Sequence, residues 1–411
     1  MALPAELINR VLKHLSDDSE SLRALSLVSK PWASWCQALL FKSIHLTPPM
    51  LRRWLENVST EADGPASHTR TLTLEEYRLI PWINPRFLDF PLPNLASFSD
   101  VRSLTLIQWN ATLFNGESPG PYFGHFGKSL RRLNLRFCTL DPVILFNFLS
   151  LLPKVEDLEI ANPYPPPVPL DTIPEVPELT PSFCGTLSLA DCTSEHLILK
   201  ALATLPLHFS TIRIKGCAFY EPDPYQMLLT SCRNTLVALR FEEVYRGPLS
   251  LCPGLNQIFH SSAFPDRPIP AVSLGSCNQL QEVHILLLNF MKPPRSLETL
   301  LSSITSRKLH KISLTFLDFV DEDDSDQEYE PDFEEEEVGG AAPWDSLDTA
   351  LSRLAQRVLH VERRLTLRLN IRHVGPKPFK PDHLISKFLG FGGLVDVNCQ
   401  GMFMLTVYPR S

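Results

Sequence analysis

The sequence predicts an α/β chain in which three short N-terminal helices lead into a solenoid of parallel strands with outer helices. Three observations predict it. Apolar residues in the first 40 positions recur at helical spacing. After them, paired apolar residues of the form Leu-x-Leu recur ten times between Leu72 and Leu367, most of them 25 to 32 residues apart. Between the pairs lie stretches that pattern as helices, and a strand, turn and helix of that length return the chain to a neighbouring parallel strand.

The N-terminal module is read over residues 1–46. Pro4 suits a first helical turn, where its missing N–H has no partner to lose. The helix that follows carries Leu7, Ile8, Val11, Leu12 and Leu15 along one side. Ser16-Asp17-Asp18-Ser19 interrupts it, and Asp18 or Ser19 can cap a second helix bearing Leu22, Leu25 and Val28. Pro31 disfavours helix at Lys30, so a break or kink is expected there. A third helix holds Trp32, Trp35, Cys36, Leu39 and Leu40, and Phe41 to Leu46 alternates like a strand. These 46 residues contain seventeen Leu, Ile, Val, Trp or Phe side chains. A unit of this size, near the lower limit of about 40 residues for independent folding, cannot bury them all. The stripes allow two readings, a helical cap docked on the next domain or a wedge for a separate partner.

Four segments go further: Leu3-Pro4-Ala5-Glu6-Leu7-Ile8, then Val11-Leu12-Lys13-His14-Leu15, then Leu22 through Leu25 to Val28-Ser29-Lys30-Pro31-Trp32, then Leu40-Phe41-Lys42-Ser43-Ile44. In order and spacing they resemble an F-box, of the kind abundant in fungi. The resemblance implies that the helices bind a Skp-type adaptor and, through it, the cullin and RING subunits of an SCF ubiquitin ligase. It further implies that Leu3, Pro4, Leu7, Ile8, Val11, Leu12 and Leu15 supply the first adaptor contacts. Leu22, Leu25, Val28 and Trp32 would complete the wedge or its core. Ser29 departs from the pattern, in which Cys is common.

Residues 47–411 form the repeat domain. The best unit is Leu130-x-x-Leu133-x-Leu135-x-x-Cys138-x-Leu140, which resembles a leucine-rich repeat at each fixed position. Related cores are Leu72/Leu74, Leu104/Leu106, Leu158/Ile160, Leu187/Leu189, Ile212/Ile214, Leu239/Phe241, Val283/Ile285, Ile312/Leu314 and Leu365/Leu367. A last strand near Met404–Val407 would close the array. Helices are expected over Val143–Leu152, Glu195–Leu205, Tyr225–Cys232, Leu297–Ile304 and Trp344–Leu359. No repeat can bury its apolar side alone, so stacking is obligatory. Cys138, Cys192 and Cys217, at the repeat's cysteine position, read as small buried hydrophobes.

Side chains alternate along a strand, so the residues between the leucines face the other way. They include Arg132, Asn134, Arg136, Arg213, Lys215, Arg240 and His284, a surface with a basic tilt. It is the candidate substrate face, and its arginines suit carboxylate or phosphate. A solvated face with scattered charge is the alternative.

The remaining composition narrows the class. The 37 prolines against 17 glycines imply many rigid connections, and residues 162–181 read as a stiff proline-rich loop. The net charge of −8 is carried by residues 318–337, an acidic insertion expected to be disordered. It holds thirteen Asp or Glu, so the rest has 38 basic against 33 acidic residues. No basic stripe for nucleic acid and no membrane span is expected. Nine cysteines without a Cys-x-x-Cys pair fit a reduced protein of cytoplasm or nucleus, with neither metal nor other cofactor. No phosphate loop, nucleophile elbow or zinc-protease motif occurs, so a non-catalytic receptor is expected rather than an enzyme. An F-box ahead of leucine-rich repeats implies that the repeats hold a protein substrate. A repeat scaffold with a helical cap and no ubiquitin-ligase role is the competing reading.

Overall fold

A computed structural model describes residues 4–57, 64–76, 92–109, 123–138, 142–163, 183–190, 198–199, 202–203, 207–215, 223–242, 272–287, 295–319, 347, 349–351, 353–354, 357, 366–374, 395–397 and 402–407. Leu3, Leu140, Cys192, Cys217, nearly all of the proline-rich loop and the acidic insertion beyond Phe319 lie outside the described residues. So do most of the expected helices over 195–205 and 344–359, although Leu347, Ala350, Leu351 and Leu354 are buried at helical spacing. The chain divides into two compact units, Met1–Cys184 and Gly185–Ser411.

The first unit opens with helices α1 (Ala5–His14), α2 (Ser19–Ser26) and α3 (Lys30–Leu40). It continues with strand β1 (Ser43–Leu46), helix α4 (Pro48–Asn57), strands β2 (Thr71–Glu75), β3 (Ser103–Ile107) and β4 (Arg132–Arg136), helix α5 (Pro142–Ser150) and strand β5 (Asp157–Ala161). The five strands pair in chain order, all parallel. Their register aligns Ile44, Leu72, Leu104, Leu133 and Leu158 in one row and Leu46, Leu74, Leu106, Leu135 and Ile160 in a second. All ten side chains are buried. The β-strand predicted after the third helix is therefore the first strand of the sheet.

Each strand is tied to the one before it at its entry. The amides of Arg102 and Ser103 donate to the Arg70 carbonyl at 2.8 and 3.0 Å, those of Arg131 and Arg132 to Arg102, and those of Glu156 and Asp157 to Arg131. At the exits, Gln108, Phe137 and Asn162 follow directly on β3, β4 and β5 with φ of 61°, 54° and 49°. Three successive units thus leave their strands through the same left-handed turn, a conformation that costs non-glycine residues about 1–2 kcal/mol. The amides of Gln108 and Phe137 donate to Arg136 and Ala161 at 2.8 and 2.9 Å, which offsets part of that cost.

Aromatic rings join the helical module to the sheet. Trp54 of α4 meets Phe41 edge-on at 5.8 Å and stacks on Phe98 at 5.7 Å. Phe123 packs edge-on against Phe148 of α5, with ring centroids 4.9 Å apart.

The second unit holds β6 (Phe183–Ala190), β7 (Leu207–Lys215), helix α6 (Asp223–Ser231), β8 (Ala238–Glu242), β9 (Glu282–Leu287), helix α7 (Arg295–Ser303), β10 (Lys311–Phe319), β11 (Thr366–Val374), β12 (Val395–Val397) and β13 (Met402–Val407). Strands β7 to β11 are parallel and aligned as in the first unit. One row is Ile212, Leu239, Val283, Ile312 and Leu367, and the next is Ile214, Phe241, Ile285, Leu314 and Leu369.

Two expectations are corrected here. The apolar pair of β11 is Leu367/Leu369 and not Leu365/Leu367, a shift that two-residue alternation alone cannot detect. The strands at the C-terminal side are not parallel: β13 runs antiparallel to β11, and β12 antiparallel to β13. Only a parallel pair needs a helical crossover between its strands. Helices α5, α6 and α7 fall where three were expected, and α4 was not foreseen.

Cys36, Cys138, Cys232 and Cys277 are free and buried. The Cys138 thiol sits 3.4 Å from the Leu106 carbonyl of the preceding repeat. Burial pushes the Cys232 thiol up to about 11 and raises Cys277 as well, so both stay protonated at neutral pH. These thiols act as core atoms.

Gly127 is required by close approach. A Cβ added there would lie 2.4 Å from the Leu151 carbonyl oxygen, at the end of the α5 segment. Gly127→Ala forces that backbone apart, and urea denaturation should show a loss of about 1–3 kcal/mol. An unchanged midpoint would mean that the two segments part freely.

Candidate functional site

The helical module is built by local signals. The Pro4 carbonyl accepts from the Leu7 and Ile8 amides at 3.0 and 3.2 Å, starting α1. Glu6 in its first turn and Lys13 and His14 in its last suit the helix dipole. The Asp18 carboxylate caps α2 by accepting from the Ser21 amide at 3.0 Å, and hydrogen bonds from Ser21 hold its pKa below the usual carboxylate value. Pro31 sits in the first turn of α3, which already starts at Lys30, so the break falls just before Lys30 and not at it: a proline in the first turn has no helical N–H to lose.

The apolar stripe of α1 is split between two sides. Ile8 and Leu12 join Leu22 and Cys36 in a buried cluster, packed over by Leu15, Leu25, Trp32, Leu39 and Leu40. Leu7 and Val11, one turn apart, are exposed at 47% and 40%. Leu27 is 87% and Val28 65% exposed, and Trp35 also faces solvent while its ring meets Trp32 edge-on at 5.7 Å. Pro4 is exposed too. Of the expected adaptor-contact residues, the structure leaves Pro4, Leu7, Val11 and Val28 open and places Ile8, Leu12 and Leu22 inside the module. Leu27 and Trp35 are open apolar side chains that the sequence did not single out for contact. Leu27 is off the Leu22/Leu25/Val28 stripe because it falls five residues after Leu22 and two after Leu25, outside the three-residue spacing that joins the others.

The face opposite the buried leucines differs between the two units. In the first, bases meet acids on the next strand or its entry. Arg132 Nε lies 3.1 Å from Asp157, Arg136 2.9 Å from Glu159, Arg131 3.4 Å from Glu156 and His45 2.8 Å from Glu75. Arg70 pairs with Asp100. Asn134 donates to the Thr105 hydroxyl at 3.3 Å.

In the second unit, the register sets Arg213, Arg240 and His284 side by side on β7, β8 and β9. Each alternates with the buried rows, and Arg213 is exposed. Lys215 lies opposite Glu242. Glu282 gathers His284 at 2.9 Å, Lys311 at 3.5 Å and His310 at 3.8 Å. No ion pair to Arg213 or Arg240 forms among the described residues, and the buried Nε of Arg240 has no hydrogen-bond partner.

Glu282 is held below the usual carboxylate range, chiefly by its hydrogen bond with His284. Burial holds His284 below the usual imidazole value, against the Glu282 bond, with Lys311 and Arg240 adding to the drop. Both groups bind protons less readily folded than unfolded. Their contribution to stability is therefore present at neutral pH and lost on acidification, first as His284 and then as Glu282 takes up a proton.

Among the described residues no group of three or more His, Cys, Asp or Glu is arranged to hold a metal ion. No described helix is long and apolar enough to cross a membrane.

Against this geometry stands one match to a known family. Residues 1–44 match the F-box domain. The match spans α1, α2, α3 and the first half of β1, so the F-box runs directly into the sheet. No curated protein matches the chain. F-box domains generally bind the Skp-type adaptor of SCF complexes, and proteins that carry them are typically non-catalytic.

Two outcomes are expected. Leu12→Ala empties part of the F-box core and should cost about 2–5 kcal/mol in urea denaturation, whereas Val11→Ala, on the open side, should change stability little. Glu282→Ala removes the one neighbour among the described residues that favours the imidazolium, so the His284 midpoint followed by NMR should fall further. A midpoint that rises would show that Glu282 does not hold the ring.

Proposed function

We propose that this chain is the substrate-recognition subunit of an SCF-type ubiquitin ligase, acting in the cytoplasm or nucleus. The observation that carries the reading is the F-box match together with open apolar side chains on that domain. Leu7, Val11, Leu27, Val28 and Trp35 remain uncovered after the first unit has folded. A helical cap docked on the sheet would have buried them. A Skp-type adaptor covering them gains about 1.5–3 kcal/mol per large side chain before association costs. Ile8, Leu12 and Leu22 then shape the wedge from inside, and Pro4 and Leu3 extend it.

The repeating strands are read as irregular leucine-rich repeats of a solenoid, as in fungal-type F-box and leucine-rich repeat proteins. In support, the two buried rows recur strand after strand, the entries of β2 to β5 and β8 to β10 are bonded to the previous unit, and β3 to β5 share one exit turn. The face opposite the leucines would hold a protein substrate. Transfer of ubiquitin would be chemistry of the other subunits, with this chain raising the substrate's local concentration. Trp54, between Phe41 and Phe98, ties the adaptor end to the sheet that would carry the substrate.

Co-expression with a Skp-type adaptor tests the reading. The native chain should co-purify with it, and Leu7→Asp with Val11→Asp should abolish the complex while leaving the fold intact by circular dichroism. Absence of the native complex, or survival of the doubly changed one, would defeat the claim.

A further inference from the structure

The charges on the exposed strand face are not distributed evenly, and the two units make a controlled comparison. They share the same register, the same alternation and the same types of side chain. In the first unit, Arg132, Arg136, Arg131 and Arg70 each have a carboxylate partner. In the second, Arg213 and Arg240 have none among the described residues. Directly opposed like charges on neighbouring strands are destabilising, since the strands lie only about 4.8 Å apart. Arg240 also keeps a buried Nε without an acceptor. Leaving such a donor unpaired is costly in a folded protein.

The nearby acids do not relieve the row. Glu282 is engaged by His284, Lys311 and His310, and Glu242 lies opposite Lys215. Arg213 and Arg240 therefore present two adjacent guanidinium groups, with the half-buried His284 imidazole beside them. Guanidinium groups on directly paired positions of neighbouring strands suit the paired oxygens of a carboxylate or phosphoryl group.

We infer that Arg213 and Arg240 form a binding site for anionic side chains of an extended acidic polypeptide segment. The inference rests on the proposed substrate-receptor role and names the substrate class of that face. A polypeptide fits better than a nucleic acid. Glu242 and Glu282 flank the row and would repel a continuous phosphate backbone, whereas a segment with one or two anionic groups can avoid them. Along Thr211–Lys215, Ala238–Glu242 and Glu282–Leu287 this face carries no Phe, Tyr or Trp for bases to stack on, and its one ring, the half-buried His284 imidazole, is held by Glu282. The arginines of the first unit, held by their own acids, are not part of the site.

Fluorescence anisotropy on the full chain tests this with four labelled probes of equal length. They are a serine-glycine peptide with two central phosphoserines, the same peptide with two glutamates, the same peptide unmodified, and an oligouridine. The phosphoserine or glutamate peptide should bind more tightly than the unmodified one, and binding should weaken as salt rises. Whichever anionic peptide binds identifies the source of the charge. Arg213→Gln, at an exposed position, should weaken that binding at least ten-fold, and Arg240→Gln likewise. Arg132→Gln should leave it within two-fold. Equal binding of all three peptides would overturn the inference. So would preference for oligouridine, or an Arg213→Gln variant that binds like the native chain. Adaptor co-purification is read separately. A chain that binds the adaptor but no anionic peptide refutes the site alone, and one that binds the peptide but no adaptor refutes the receptor role alone.

Discussion

A parallel strand completes neither its hydrogen bonds nor its apolar packing without the next strand in register, and the structure depends on that constraint. In the first unit it begins at β1, whose first half lies within the F-box match, and Ile44 and Leu46 open the two buried rows. Every later strand of that unit repeats their placement. Carbonyls at the strand entries accept the amides of the following unit, so each repeat is positioned by its predecessor. The F-box consequently does not hang from the sheet by a free linker. Its exit strand is the sheet's first strand, and Trp54 packs across the junction.

The same register that aligns leucines on one side aligns charges on the other. Where an acid follows a base on the next strand, as with Arg132 and Asp157, the face neutralises itself. Exposed pairs of this kind contribute little to stability, about 0–1 kcal/mol, but they occupy the arginines and remove them from binding. Where Arg240 follows Arg213, the shared register concentrates positive charge. The second unit tolerates this because the buried rows beneath, from Ile212 to Ile312 and Ile214 to Leu314, set the strand positions.

The helical module solves a different problem. Its seventeen large apolar side chains exceed what three short helices can enclose. The fold places Ile8, Leu12, Leu22 and Cys36 at the centre and leaves Leu7, Val11, Leu27 and Val28 uncovered. An open apolar surface of this kind gains nothing from exposure to water, and it is the surface that the proposed adaptor would cover.

By itself, the sequence determined the local elements and their period. Leu-x-Leu pairs announce strands because alternation puts both leucines on one side. Pro4, Asp18 and Pro31 punctuate the three helices because their backbone chemistry acts within one turn. The F-box was legible for the same reason, since its signal is confined to 44 consecutive residues. Tertiary structure alone decided which members of a stripe become core and which remain open. Ile8 and Leu7 are adjacent and equally apolar, and only the packing of α2 and α3 separates them. It also decided register, placing Leu367/Leu369 in the rows in place of Leu365/Leu367 and turning β13 antiparallel. Finally, it decided charge pairing. Arg132 and Arg213 look alike in their repeats, and the difference between them lies 25 and 27 residues away, in Asp157 and Arg240 on the neighbouring strands.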